Sequence, residues 1–196
     1  FCNREALCRL AVARPDVSFV VDEAFADFVE GYCSLAGEAP ANLVVLRSLT
    51  KIYAVPGLRL GYAVTGRETA SRLRALVPPW SVNVLAQEVG RALLQEREYV
   101  RRSQRLVARW RNALTVRLRA LPEVQGWDSE ANYLLLRLSK KSDAVELARG
   151  LFKRGIAVRP CANFAGLDHT FLRVAVHTES ENEWLVRVLA EELGYA

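Results

Sequence analysis

The sequence is short of the residues from which metal sites are made. It has two histidines and four cysteines in 196 residues, and Cys2, Cys8, Cys33 and Cys161 form no CxxC pair. That excludes a zinc site from the reading and leaves the cysteines as free thiols. No apolar run approaches the roughly 18 residues of a membrane-crossing helix, and no signal-peptide pattern opens the sequence. These absences predict a soluble, cytoplasmic chain with no membrane partner. Internal repeats, low-complexity tracts and nucleic-acid-binding motifs are also missing. The last point matters because the formal net charge is +5 and arginines crowd between Arg91 and Arg119. They alternate with apolar residues at helical spacing, so they read as a solvated helix face and not as a nucleic-acid footprint. The excess charge suits an anionic, phosphate-bearing substrate.

What is present centres on Arg47 to Tyr62, R-S-L-T-K-I-Y-A-V-P-G-L-R-L-G-Y. Apolar runs on both sides predict strand, irregular loop, strand, with Pro56-Gly57 breaking the middle. The loop carries an amine (Lys51), hydroxyls (Ser48, Thr50) and a guanidinium (Arg59). Hydroxyls and an arginine suit a phosphate, and a lysine shielded from water can attack a carbonyl. Most single lysines are merely solvated, so the upstream V-V-D-E-A-F at Val20 to Phe25 carries weight. There Asp22 ends an apolar strand, where ligands of open α/β sheets gather; an aspartate in that position can also be a turn cap.

Together, D-E-A-F-x-D-F and S-L-T-K-x-Y-A-x-P-G-L-R-L-G-Y resemble the fold-type-I, pyridoxal-phosphate-dependent aminotransferase superfamily. The likeness is strongest to its threonine-phosphate decarboxylases, relatives of the histidinol-phosphate aminotransferases. P-W-S-V-N at Pro79 to Asn83, A-N-Y-L-L-L-R at Ala131 to Arg137, R-P-C-A-N-F-A-G-L-D at Arg159 to Asp168 and F-L-R-V-A-V at Phe171 to Val176 extend it along nearly the whole chain. The resemblance implies pyridoxal 5'-phosphate as cofactor, Lys51 as the lysine that bonds its aldehyde, and Asp22 as partner of its pyridine nitrogen. It implies Ser48 and Arg59 as phosphate ligands, and Arg159, Arg173 and Asn132 as substrate contacts. It further implies decarboxylation of L-threonine O-3-phosphate by a homodimer, with histidinol-phosphate-type amino transfer or a non-catalytic remnant as alternatives. Phe25 departs from the tyrosine common in the superfamily and has no hydroxyl to offer the cofactor, which favours the decarboxylase branch. A charge inside a strand, as at Arg173, is costly unless it meets an anion.

The implied fold is α/β, the carboxy-terminal part of a fold-type-I enzyme. It comprises a partial large domain with a mainly parallel sheet (1–95), a connecting helix (96–121) and a small α+β domain (122–196). Because Phe1 and Cys2 open almost inside an element, the chain reads as an amino-terminally truncated fragment, inert by itself. Periodicity predicts a helix over 3–13, buried strands at 17–21 and 42–46, a third strand at 60–64, and a helix over 67–77. A helical pattern follows over 84–121, broken near 96–98, with Leu85, Val89, Ala92 and Leu93 on its apolar stripe. Beyond Pro122 come a strand at 133–138, a helix capped by Ser142 and ended by Gly155, short strands at 156–158 and 171–176, and a final helix. Thr178 and Glu181 have capping-box spacing for that last helix.

Overall fold

The computed structural model describes residues 3–37, 40–139 and 142–195; Cys2, Lys140 and Lys141 lie outside them. Contacts divide the chain into two units, Phe1–Gln104 and Arg105–Ala196.

In the first unit, Asn3 accepts a hydrogen bond from the Ala6 N–H at 3.0 Å and so starts α1, Arg4–Ala13. Capping of this kind satisfies a helix-end donor that would otherwise lack a partner. Strands β1 (Phe19–Asp22) and β2 (Leu43–Ser48) pair in parallel. After them come α2, a single turn over Leu49–Ile52, and β3 (Gly61–Thr65), which returns antiparallel to β2. Leu43 and Val45 are buried with Leu35, against Leu7 and Cys8 of α1, Phe19 and Val21. The opposite face is open, with Val20 64% exposed and Leu46 38%, so these strands are buried on one face. The Asn42 amide nitrogen lies 2.8–3.0 Å from the Ala11, Arg14 and Val17 carbonyls, joining the end of α1 to the start of β2.

Three helices follow: α3 (Arg67–Leu76), α4 (Val84–Leu93) and α5 (Arg97–Arg119). The predicted apolar stripe of α4 is not its packed face, since Leu85 is 71% exposed while Ala86 and Gly90 are buried. The reason is steric. A Cβ on Gly90 would stand 2.4 Å from a Leu60 methyl, so the helix packs through its smallest residues.

The second unit is built on an antiparallel sheet in the order β4 (Val124–Gly126), β5 (Tyr133–Leu138), β7 (Phe171–Ala175), β6 (Arg159–Pro160). On one face Leu134, Leu136, Leu138, Leu172 and Val174 join Leu114 and Leu118 of α5. They also meet helices α6 (Ala144–Lys153) and α7 (Glu179–Glu192) in one core. Asp143, not Ser142, caps α6, because its Oδ1 accepts from the Val145 N–H at 2.7 Å. Gly155 takes φ +78° just past the helix end, where a left-handed residue closes the last turn. The capping box of α7 forms, with the Glu181 carboxylate accepting from the Thr178 N–H at 3.1 Å. The short strand predicted at 156–158 lies instead at 159–160, where Arg159 and Pro160 pair with β7. Among the described residues no helix is long and apolar enough to cross a membrane.

Candidate active site

Strand register places the first-unit candidates at one end of one sheet. Asp22, the last residue of β1, is the Cα partner of Leu46, and Ser48, the last of β2, is the partner of Gly61 at the start of β3. The carboxyl ends of the two parallel strands therefore lie side by side, and the antiparallel return brings the Arg59 loop to the same end. A Cβ on Gly61 would stand 2.8 Å from the Arg47 carbonyl, so glycine permits this close approach.

Lys51 lies in α2, whose neighbours Leu49, Thr50 and Ile52 are buried while Lys51 is exposed. Its Nζ sits 5.6 Å from the centre of the Phe25 ring, so the D-E-A-F and S-L-T-K motifs meet in space. Among the described residues it makes no ion pair or hydrogen bond. The Ser48 and Thr50 hydroxyls are 2.8 Å apart. Arg59 has φ +51° and donates from its guanidinium to the Pro56 carbonyl at 2.9 Å, while Ala54 has φ +54°. Left-handed non-glycine residues are uncommon and gather at functional sites. Asp22 accepts from the Ala24 N–H at 2.9 Å through Oδ1, and its second oxygen has no hydrogen bond among the described residues.

Behind these groups lies a polar network that the sequence reading missed. Glu23 is 2% exposed. Its carboxylate accepts from the Tyr32 hydroxyl at 2.9 Å, the Ser34 hydroxyl at 2.6 Å, the Leu35 N–H at 2.9 Å and Arg47 at 3.0 Å. Burial pushes this carboxyl up, but the Ser34, Leu35, Tyr32 and Arg47 donors outweigh it and hold it below the usual range. Burial, with Glu23, pushes the Tyr32 phenol up to about 12, so it remains a donor. Arg47 also pairs with Asp27. Asp27 is nevertheless raised, because burial and the nearby Glu23 charge together exceed the pull of Arg47. The cue was available: Arg47 ends an apolar strand run, the same signal that singled out Arg173.

In the second unit, Arg159 and Arg173 are Cα partners across β6 and β7. They therefore stand next to each other on the sheet face that the helices do not cover. The Arg173 guanidinium lies 4.9 Å from the Tyr133 ring centre, and that of Arg159 lies 5.8 Å from Phe164. Arg159 also donates to Asn163 Oδ1 at 3.3 Å. Asn132 makes no hydrogen bond to either arginine, and its Oδ1 is buried with no partner among the described residues. A buried acceptor left so costs about 1–3 kcal/mol, and such groups mark places where a ligand or water completes the structure.

The sequence pattern described as aminotransferase class I and II matches residues 1–189. The chain belongs to that family. It is 38% identical over 186 residues to threonine-phosphate decarboxylase from Salmonella typhimurium, covering 91% of this chain and 49% of that one. Histidinol-phosphate aminotransferase from Clostridium acetobutylicum superposes with a TM-score of 0.90 at 29% identity, over 97% of this chain and 59% of that one. L-threonine-O-3-phosphate decarboxylase from Porphyromonas gingivalis gives 0.84 at 28% identity, over 98% and 60%. The chain spans about half the length of the curated relatives it matches. The fold is that of fold-type-I pyridoxal-phosphate enzymes, and pyridoxal 5'-phosphate is the family cofactor. The donor set at the strand ends fits that group. Among the described residues it offers an amine with no ion pair, a carboxylate with one oxygen not hydrogen-bonded, hydroxyls and a guanidinium, against an aldehyde, a basic ring nitrogen and a phosphate.

Proposed function

We propose that the gene product carrying this chain is a pyridoxal-phosphate-dependent decarboxylase of L-threonine O-3-phosphate. Its product would be (R)-1-aminopropan-2-yl phosphate, used in cobalamin biosynthesis. The observation that carries the reading is the pairing of Arg159 with Arg173, two adjacent cations suited to a substrate with two anionic groups. When bound, the cofactor supplies an aldehyde that takes up an amine and a protonated ring that draws electrons from a bond at the amine-bearing carbon. Lys51 provides the resident amine, Asp22 keeps the proton on the ring nitrogen, and Ser48 and Arg59 hold the phosphate. Arg159 and Arg173 grip carboxylate and phosphate, and that orientation decides which bond weakens. The Lys51 amine would carry a proton to the carbon that has lost carbon dioxide. One carbon dioxide leaves and one proton replaces it, so no keto-acid partner is needed. Asn132, with its open acceptor, is a further substrate contact.

Histidinol-phosphate aminotransfer is the second reading, favoured by the higher TM-score of the aminotransferase structure. It uses the same cofactor residues and removes the α-proton instead. Phe25, which lies under the Lys51 amine and offers no hydroxyl, supports the decarboxylase. A homodimeric, cytoplasmic enzyme goes with either reading, as does a division into a cofactor-binding part (1–95), a connecting helix (96–121) and a small domain (122–196).

Substituting glutamine for Arg173 should lower kcat/KM by roughly 30- to 4,000-fold, the equivalent of about 2–5 kcal/mol for losing a desolvated charge pair. Arg159 is more exposed and its loss should cost less. Steady-state kinetics of both variants checks this, and an unchanged kcat/KM in Arg173→Gln would remove the arginine from the substrate site.

A further inference from the structure

Strand alternation divides two neighbouring dipeptides between opposite faces of the first-unit sheet. Asp22-Glu23 leaves β1 and Arg47-Ser48 ends β2, side by side, because Asp22 pairs with Leu46 and the Glu23 N–H donates to the Leu46 carbonyl at 2.9 Å. Asp22 and Ser48 belong to the open face, while Glu23 and Arg47 turn to the other side and pair there at 3.0 Å. The second guanidinium nitrogen of Arg47 takes Asp27. One arginine thus holds both ends of the loop from Glu23 to Asp27, and midway along that loop Phe25 meets Lys51.

We propose that Glu23 and Arg47 are positioning residues. Their ion pair fixes the strand ends bearing Asp22 and Ser48–Lys51, and the loop bearing Phe25, at the spacing one bound cofactor requires. The inference rests on the reading of Asp22 and Lys51 as cofactor groups. Holding a strand together does not need this charge, since buried ion pairs are often replaceable by apolar residues without loss of stability. What the guanidinium adds is a planar fork that fixes two carboxylates at a set angle, which a lysine's single ammonium cannot do. Tyr32, Ser34 and the Leu35 N–H fill the remaining acceptor sites of Glu23, so the carboxylate has one orientation.

The test uses the whole gene product and three variants: Arg47→Lys, Glu23→Gln and, as a control in the same sheet's core, Leu43→Ala. Each is titrated with pyridoxal phosphate, and the pH at which the absorbance of the bound cofactor changes is recorded beside the melting temperature. Arg47→Lys should weaken cofactor binding on the order of 10- to 100-fold, as expected of misplaced binding groups, and should move the spectral transition. Leu43→Ala should lose stability yet leave both readouts in place. If Glu23→Gln does not fold, Arg47→Lys against Leu43→Ala decides. Equal cofactor affinity and an equal spectral transition in those two variants would overturn the positioning role. Failure of the unsubstituted protein to bind pyridoxal phosphate at all would overturn the functional reading, and this inference with it, before any variant is compared.

Discussion

Replacing Lys51 with alanine should reduce turnover by about 10²- to 10⁴-fold, the contribution of a positioned proton-transfer group, and should abolish covalent attachment of the cofactor. The expectation follows from a single turn of helix that buries Leu49, Thr50 and Ile52 and leaves the lysine outward over Phe25. Because the side chain makes no ion pair among the described residues, its removal should barely alter the melting temperature. Borohydride reduction of the unsubstituted gene product followed by peptide mapping should find the pyridoxyl group on Lys51. A label on Lys153 instead, or on Lys140 or Lys141, would contradict the assignment.

Glu23→Gln should be the most destabilising polar substitution in the first unit, costing about 3–5 kcal/mol, as for a buried ion pair broken by removing one partner. Glutamine would also set an amide N–H₂ against donors already aimed at the site from Ser34, Tyr32 and Arg47. Asp27→Asn should cost less, because burial raises the Asp27 carboxyl's pKa while the donors around Glu23 lower that of its neighbour. The two carboxyls also predict opposite pH trends. Glu23 has a folded pKa below its unfolded value, so its stabilisation is complete above the unfolded pKa and disappears as pH falls through the folded one. Asp27 titrates higher when folded, so its ionisation subtracts stability as pH rises through its unfolded and then its folded pKa. Urea titrations should therefore show less loss of stability toward acid pH in Glu23→Gln than in the unsubstituted protein. Equal cost and equal slope in the two variants would contradict the network as drawn.

The elements were legible where local chemistry decides them. The Thr178–Glu181 capping box, Gly155 at its helix end and the strand at 133–138 all depend on near neighbours in sequence, and each forms as its residues imply. Packing partners were less legible. The stripe of α4 misleads because Gly90 lets the helix approach Leu60 through its small face, and no periodicity rule weighs a missing Cβ. The two-residue strand at Arg159 arises from pairing with β7, a long-range contact that the run 156–158 does not encode. At the site, Asp22, Ser48, Lys51 and Arg59 were singled out through the family resemblance of their two motifs, and strand register puts the ends of β1 and β2 and the start of β3 at one sheet end. Glu23, Asp27 and Arg47 went unread although they lie within or beside those motifs. Their partners are 20 and 24 residues away in sequence, so only strand register reveals the network.

The measurement that bears most directly on the proposed function is the fate of L-threonine O-3-phosphate with the gene product and pyridoxal phosphate, in the absence of any keto acid. Stoichiometric carbon dioxide and aminopropanol phosphate are expected, with Arg173→Gln strongly impaired. Amino transfer from histidinol phosphate to a keto acid, with no carbon dioxide from the phosphothreonine, would contradict it and establish the aminotransferase reading instead.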